Sequence, residues 1–394
     1  MNPLFKDLKN FLGIFCIILT IGLIFVGLWP FEFSPKNMAC WVPDGNGLYF
    51  DGKKIKWKFS VGGIAYLSSI SGSSQIQLTE RGSFTVAIHL QPEKDSSGGV
   101  SRILSIVDKS GKESLYLGQW KKSLIVRWFR PERGSRSKRK LQEIGVGNVL
   151  FKDIDQWLIL MSDQAGTDIY VGDKLEKRFQ GKALLQKGSS ITDYDIVLGN
   201  SPRADNPWTG TILSLALLDR SFDIENFPKD WRLSKKNLYD ADVQKDGLIL
   251  AFNFENEEDV RDYDLSGNGN VILIPKRISS IGGILEWPDK VFRTRYSKMK
   301  DLVVNVFGFI PFGLFLLLWF KNTKRWNQRF SFLYVILIGG LLSLGIELTQ
   351  VFIPARYSSL SDLLFNTVGT ILGVIGLYFF LFLGKRIFSS KFPE

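Results

Sequence analysis

The chain has 394 residues, which leaves room for more than one domain. Charged residues make up 23% and hydrophobic residues 45%, as in a soluble protein, yet the mean hydropathy is slightly positive at +0.04. This average conceals long apolar segments on either side of a polar central region, so the chain is not a simple soluble domain.

Four segments are apolar and long enough to cross about 30 Å of hydrocarbon as helices. The first, 11–29, carries no charge, exceeds the apolar core of a signal peptide and lacks a small-residue cleavage site after it. An uncleaved anchor is therefore favoured over a signal peptide. The other three candidates lie near the C-terminal end, at 302–320, 330–353 and 363–383.

The Lys and Arg residues of the short segments predict the orientation. With four spans, the N-terminal lysines, the loop KNTKRWNQR and the C-terminal tail lie on one side, so both termini are expected in the cytoplasm. Residues 36–300 are then extracytoplasmic, and the chain is a multi-pass protein of the cell membrane. Basic residues at 293–300 oppose this assignment, but long translocated domains are largely exempt from the charge rule.

The net charge is +11, and much of it comes from RWFRPERGSRSKRK at 127–140. This run is interpreted either as a solvated hairpin loop or as a contact for anionic lipid headgroups or an acidic wall polymer. Nucleic acid is not expected as a partner outside the cell. Cys16 lies inside the first span and Cys40 beyond it, too far along the helix axis for a disulfide.

The central region alternates apolar and polar residues with period two, and turns interrupt it every 8 to 12 residues. In GSFTVAIHLQP, for example, Phe84, Val86 and Ile88 alternate with polar or small residues. Many short β-branched and aromatic runs separated by Gly, Asn and Asp predict an antiparallel sandwich or barrel.

The motifs of this region resemble the laminin-G-like, concanavalin A-like jelly-roll domains over about residues 45–275. The resemblance rests on SFTVAIHLQP, on DQWLILMSD with its Trp157, on the turn Gly172–Lys174, and on the strand Trp208–Leu218. The segment 253–270 resembles one that usually opens such domains. Because it comes late here, either the edge strands are permuted or this segment pairs with the start of the domain.

The resemblance implies a scaffold that binds glycans or proteins and that is only in a minority of cases a glycosidase. The E-x-D-x-x-E strand of such glycosidases is missing. His89 is interpreted as a packed or surface residue. A structural calcium ion is allowed but not specified among the turn aspartates, namely Asp163, Asp168, Asp193 and Asp195. Three tryptophans are candidates for stacking on sugar faces, although core packing explains a tryptophan at least as often: Trp120, Trp128 and Trp208.

The most specific signal is GIELTQVFIPARYSSLSDLLFNTVG at 345–369, where polar residues interrupt apolar sequence. Glu347, Gln350 and Pro354 are predicted on one face of the third span, and Arg356 is the expected partner of Glu347, with Asp362 as the alternative. Gly369 and Gly373 give the fourth span a smooth strip for another helix. Six residues at the predicted outer end of the spans define the polar cup: Asn305, Glu347, Gln350, Arg356, Asp362 and Asn366.

These motifs resemble the VanZ-like membrane family, named for a glycopeptide-resistance protein. The matching features are N-x-x-x-F-x-P-x-G at 305–313, E-x-x-Q at 347–350, the cup residues that follow, and the first-helix exit WPFEFSP at 29–35. The resemblance implies a role in the cell envelope and altered sensitivity to glycopeptide antibiotics. It implies no defined reaction.

Four interpretations of the polar cup stay open. It is a structural network that fixes helix register, a pocket for a lipid headgroup or lipid-linked wall precursor, an enzyme site with Glu347 or Asp362 as general base, or part of a transporter. Catalysis is less favoured than binding or structure. The sequence thus predicts three parts: an N-terminal helix with its exit at 1–35, an exported β-sandwich at 36–292 and a three-helix VanZ-like bundle at 293–394.

Overall fold

A computed structural model describes residues 3–42, 47–52, 62–69, 82–94, 96–108, 111–131, 139–184, 194–221, 247–254, 261–278, 283–286, 295–323, 329–354, 356 and 358–391. The chain forms two compact units. The helical unit comprises Met1–Phe33 and Ser279–Glu394, and the sandwich unit comprises Ser34–Ile278.

The sandwich unit is built from two antiparallel sheets of eight described strands each. The first sheet has the order β1-β2-β13-β4-β9-β10-β11, with β14 also paired to β13, and the second has the order β15-β16-β3-β12-β5-β6-β7-β8. The strands are β1 (Ala39–Trp41), β2 (Leu48–Phe50), β3 (Ala65–Ser69), β4 (Phe84–Pro92), β5 (Ser96–Asp108), β6 (Glu113–Lys121), β7 (Ser123–Pro131), β8 (Arg139–Val146), β9 (Gln156–Ser162), β10 (Gly166–Val171), β11 (Lys174–Gln180), β12 (Tyr194–Leu198), β13 (Gly210–Leu218), β14 (Leu248–Phe252), β15 (Arg261–Tyr263) and β16 (Asn270–Leu273).

The period-two pattern of the sequence places alternate side chains between the sheets. In β4, Phe84, Val86 and Ile88 enter the main core, whereas Ala87 belongs to a smaller apolar cluster on the other face with Ile159 of β9. The first sheet is therefore buried on both faces where β4 and β9 pair. This explains why apolar and polar residues do not alternate strictly in the sequence of these strands. The predicted β-sandwich is confirmed.

Of the late segment 253–270, Asn270 pairs with a strand near the start of the domain, whereas β15 within the segment pairs with β16. Asn270 of β16 lies opposite Ser69 of β3, and β15 continues the sheet outside β16. Further along, Lys36 and Arg277 form an isolated bridge, and the Ile278 N–H donates to the carbonyl of Pro35 at 2.9 Å. The first and last residues of the unit thus close on each other. Residues 255–260 of this segment lie outside the described residues.

The helical unit contains four helices among its described residues: α1 (Pro3–Leu28), α2 (Arg295–Asn322), α3 (Ser331–Gln350) and α4 (Leu360–Lys391). Each includes a stretch long and apolar enough to cross a membrane, namely Asp7–Leu28, Leu302–Asn322, Ser331–Gln350 and Leu360–Leu383. These agree with the predicted spans to within four residues at each end, and the third ends three residues early. Pro354 therefore follows α3 and does not share its face, since the chain turns after Gln350.

Glycines bring α2 and α4 into backbone contact. A Cβ atom placed on Gly369 would lie 2.2 Å from the carbonyl oxygen of Val306, and one on Gly373 would lie 2.2 Å from that of Ile310. From the α2 side, a Cβ on Gly313 would lie 2.2 Å from the carbonyl oxygen of Thr370. Small residues allow such close packing of membrane helices. The smooth strip predicted on the fourth span is confirmed, and α2 is the helix that it contacts.

Candidate functional site

Two residues of the polar cup contact the C-terminal end of α1. Several backbone carbonyls at this end lack donors from their own helix. The Val26 carbonyl would normally accept from residue 30, but Pro30 has no N–H. The Phe31 N–H, the usual donor for Gly27, instead donates to Leu28 at 2.8 Å. In a membrane interior such carbonyls need other donors, because no water is available.

Two cup residues supply these donors. The Gln350 amide Nε2 donates to the Gly27 carbonyl at 2.8 Å. The Arg356 guanidinium donates from Nε to the Trp29 carbonyl at 2.8 Å, and from Nη2 to the carbonyls of Trp29 and Val26. A cation also suits the negative end of the helix dipole. Gln350 and Arg356 therefore cap α1.

Glu347 caps the start of α4 in the opposite electrostatic sense. Its side chain is only 2% exposed, and its Oε2 atom accepts the Ser359 N–H at 2.6 Å, immediately before α4 begins. Asp362 lies in the first turn of the same helix. Carboxylates stabilise helix N-termini because unpaired N–H groups point towards them.

The predicted relation of Glu347 to Arg356 is electrostatic in the structure, since the Glu347 carboxylate is among the charges that act on the Arg356 guanidinium. The hydrogen bonds that the described residues give Arg356 go to backbone carbonyls of α1, because that helix end needs donors. Burial lowers the pKa of Arg356 from its ordinary value, while the carboxylates of Glu347 and Asp362 oppose the shift. Arg356 therefore lies within the electrostatic field of both carboxylates.

Asn366 differs from these capping residues because its hydrogen bonding is incomplete among the described residues. The side chain is buried, and its Nδ2 atom donates to the Ser343 hydroxyl of α3 at 2.9 Å. Its Oδ1 atom has no hydrogen-bond partner in the described part of the chain. If the amide oxygen and nitrogen of Asn366 exchanged places, Nδ2 would occupy this position and would lack a hydrogen-bond partner among the described residues instead. Asn366 is one helical turn beyond Asp362, on the same face of α4.

Asn305 is half-buried on α2, one residue before Val306, whose carbonyl contacts Gly369 of α4.

A short segment that sequence reasoning did not assign also reaches the cup. The Glu286 N–H donates to the Ser358 carbonyl at 3.0 Å, and the Leu360 N–H donates to the Glu286 carbonyl at 3.2 Å. No motif in the sequence indicated this pairing. The role of Arg356 had a signal, namely the missing N–H of Pro30, which leaves the Val26 carbonyl without its usual donor.

In the sandwich unit, two of the three nominated tryptophans are core residues. Trp128 and Trp208 are each 1% exposed, and the Trp208 indole donates to Gln119 Oε1 at 2.7 Å. Neither ring can stack on a sugar in this structure, because both side chains fill the space between the sheets. Trp120, at the β6–β7 hairpin, is 46% exposed and is the nominated tryptophan that a ligand can reach.

The other titratable candidates of the sandwich have structural partners. His89 is stacked on Trp157 with ring centroids 4.7 Å apart and pairs with Asp155. The Asp163 carboxylate accepts N–H groups of its own turn, and Asp168 forms two hydrogen bonds with Arg178. Among the described residues, no group of three or more His, Cys, Asp or Glu side chains could hold a metal ion. Asp193 lies outside the described residues.

Residues 248–382 match the family model described as VanZ/LLP1. No curated protein matches the chain.

Solved structures similar to this chain include a candidate carbohydrate-binding protein from Bacteroides ovatus ATCC 8483, with 13% identity, a TM-score of 0.37 and 58% of each chain covered. Another is the carbohydrate-binding module CBM40 of the Ruminococcus gnavus IT-sialidase, with 12% identity, a TM-score of 0.30, and 36% of this chain and 79% of that chain covered. The chain spans less than two thirds of the first protein.

The family match includes the last three strands of the sandwich unit and helices α2 and α3, and it ends within α4. It contains every residue of the polar cup, and the four helices have the length and composition of membrane spans. The VanZ-like match at residues 248–382 and the four long apolar helices together indicate a membrane protein.

Proposed function

We propose that this chain is a multi-pass protein of the bacterial cell envelope whose polar cup binds a lipid headgroup or a lipid-linked wall precursor. The observation that carries the proposal is the buried Oδ1 atom of Asn366, which lacks a partner among the described residues. A buried polar atom without a hydrogen bond is unfavourable, so an O–H or N–H group of a ligand would be stabilised there.

The proposal divides the cup into two functions. Glu347, Gln350 and Arg356 hold the ends of α1 and α4 in place, and this part corresponds to the structural interpretation. Asp362 and Asn366 form the binding part. The engagement of the buried Glu347 carboxylate by Ser359 supports binding rather than general-base catalysis by Glu347.

Native mass spectrometry of the full chain, purified from its membrane, tests the proposal. We expect Asn366→Leu to reduce the amount of co-purifying lipid or precursor about tenfold, the effect of losing one hydrogen bond of about 1.4 kcal/mol. The matched control is Thr367→Val, since the Thr367 hydroxyl donates within its own helix to Leu363 at 2.8 Å. Unchanged retention in Asn366→Leu would overturn the binding role of the cup.

For the sandwich unit we propose binding of an envelope glycan, a wall polymer such as a teichoic polymer, or a protein. The β-sandwich and the laminin-G-like motifs support this assignment. The test is binding of purified wall glycans and teichoic polymers to the full chain in nanodiscs, with nanodiscs that lack the protein as control. Failure of all these polymers to bind would remove the glycan and polymer partners.

The proposed orientation places the sandwich unit outside the cytoplasm. Cysteine labelling tests it, because Cys40 is exposed in the sandwich unit and Cys16 is buried in the helical unit. A membrane-impermeant maleimide should label Cys40 in intact cells, whereas Cys40→Ser should abolish labelling. If Cys40 were labelled only after the cells are broken, the sandwich unit would lie in the cytoplasm and the proposed topology would be wrong. The VanZ-like resemblance also supports an effect on glycopeptide sensitivity, which is tested by comparing cells that express the wild type and Asn366→Leu.

A further inference from the structure

The tip of the β6–β7 hairpin and the loop at 147–155, which joins β8 to β9, form an exposed patch. The two segments are joined by backbone hydrogen bonds, because the N–H groups of Val149 and Leu150 both donate to the Lys122 carbonyl at 2.9 Å. The six residues of this surface, called the hairpin patch below, are Trp120, Lys121, Lys122, Phe151, Lys152 and Ile154.

Three large apolar side chains of the hairpin patch are exposed to solvent: Trp120 by 46%, Phe151 by 37% and Ile154 by 49%. None of them contributes to the main core of the sandwich. Single exposed apolar residues are normal, but several together with cations are typical of an interaction surface.

The lysines of the patch are arranged around these apolar groups. The Lys121 ammonium lies 5.1 Å from the Trp120 ring centroid, and the Lys122 ammonium lies 5.6 Å from that of Phe151. Lys152 pairs with Asp153 at 3.4 Å, so its charge is partly neutralised. The backbone of Lys121 is in the left-handed region at φ 54°, which is uncommon for a residue other than glycine.

Two classes of partner fit a surface of aromatic residues and lysines, namely an anionic glycan and an anionic bilayer. A sugar needs a free aromatic face and neighbouring polar groups for its hydroxyls. Here a lysine ammonium lies near the ring of Trp120 and another near the ring of Phe151. The side chains of Phe151 and Ile154 have no polar group that could form a hydrogen bond with a sugar hydroxyl. Trp and Phe with Lys are instead typical of the membrane interface, where apolar groups enter the headgroup region and ammonium groups contact lipid phosphates.

We propose that the hairpin patch docks the sandwich unit on the surface of an anionic bilayer. The sandwich is covalently joined to the membrane helices, so a bilayer is always present at high effective concentration and weak docking suffices. The attraction should weaken in high salt, because exposed charges are screened. This inference is independent of the proposed ligand of the polar cup.

The test uses the full chain with Cys40→Ser and Phe151→Cys, labelled with an environment-sensitive nitrobenzoxadiazole fluorophore and reconstituted in nanodiscs. We expect a blue shift of the emission in phosphatidylcholine nanodiscs that contain phosphatidylglycerol, and loss of this shift in high salt. The matched control is Leu175→Cys in the same background, an exposed apolar position on β11 that should show no shift.

A second variant separates docking from misfolding. Adding Lys121→Gln and Lys122→Gln removes two exposed charges without touching the core, and the blue shift should disappear while the thermal melting of the sandwich is unchanged. Emission at Phe151→Cys that stays at the aqueous wavelength in every nanodisc would overturn the proposal. A blue shift that appears only after a soluble anionic wall polymer is added would overturn it as well and would identify a polymer surface.

Discussion

The Gln350 side chain donates to the backbone carbonyl of Gly27 at 2.8 Å, although 323 residues separate them in the sequence. This bond replaces a donor that α1 loses when the Phe31 N–H pairs with Leu28 instead. The amide at the end of α3 is therefore part of the C-terminal cap of α1.

We expect Gln350→Leu to destabilise the helical unit by about 1–3 kcal/mol, because the partly buried Gly27 carbonyl is left without a donor. Thermal unfolding of the purified chain in detergent measures this effect. Thr349→Ala is the control, since the Thr349 hydroxyl donates to Gly345 within its own helix. Equal stability of Gln350→Leu and the control would show that the cap contributes little.

Arg356 should tolerate neither truncation nor exchange for lysine. Lys keeps the positive charge at the end of α1 but lacks the fork of donors that reaches both Val26 and Trp29. We expect both Arg356→Lys and Arg356→Ala to lower the amount of folded protein in the membrane, with the larger loss for alanine. Wild-type abundance in Arg356→Ala, measured by quantitative immunoblotting, would contradict the capping role.

The close packing of α2 and α4 can be tested with two glycines of one helix. Gly373→Ala places a Cβ atom 2.2 Å from the Ile310 carbonyl oxygen, whereas a Cβ atom at Gly376 meets nothing within 4 Å. We expect Gly373→Ala to destabilise the helical unit by about 1–3 kcal/mol, as overpacking does, and Gly376→Ala to have little effect. Similar thermal unfolding temperatures for the two variants would exclude the close contact between α2 and α4 as a source of stability.

His89 gives the sandwich unit a weak dependence on pH. Burial lowers its pKa from the ordinary value of 6.5, and Asp155 opposes this shift. Because the folded state favours the neutral imidazole, its stabilising contribution is present above about pH 6.5 and is lost as the pH falls through the lower folded pKa.

The chain has one histidine, so an NMR titration of selectively labelled protein should show one imidazole. We expect its midpoint below 6.5 in the wild type and lower still in Asp155→Asn, which removes the opposing carboxylate. A wild-type midpoint above 6.5 would mean that the ion pair outweighs burial.

Trp208 should matter for stability and not for binding. Trp208→Phe removes the indole N–H that donates to Gln119, so we expect a loss of about 1–3 kcal/mol. Trp120→Phe, at an exposed position, should change stability by less than about 0.5 kcal/mol. Chemical denaturation of the two variants compares them directly, and equal losses would contradict the core position of Trp208.

Regular patterns made the architecture predictable. Alternation of apolar residues indicated the strands, and long apolar runs gave the spans to within a few residues. The partners of Arg356 were not predictable in the same way, because opposite charges near each other in sequence suggest a pair with Glu347. The acceptors are main-chain carbonyls, which every residue has, so the residue types in the sequence do not indicate which carbonyls Arg356 contacts. Likewise, Trp128 and Trp208 could not be separated from Trp120 without knowing which face of each strand was covered.

The closure of the sandwich unit on itself has a consequence for how the chain is assembled. Ile278 donates to Pro35, and Arg277 donates to Ser34 at 2.8 Å, so the polypeptide enters and leaves the sandwich at a single point. Domains with adjacent ends can be inserted into a loop of another domain without separating the elements on either side. The whole sandwich is therefore a removable module, and a chain that joins Phe33 to Ser279 through a short linker would retain all four helices.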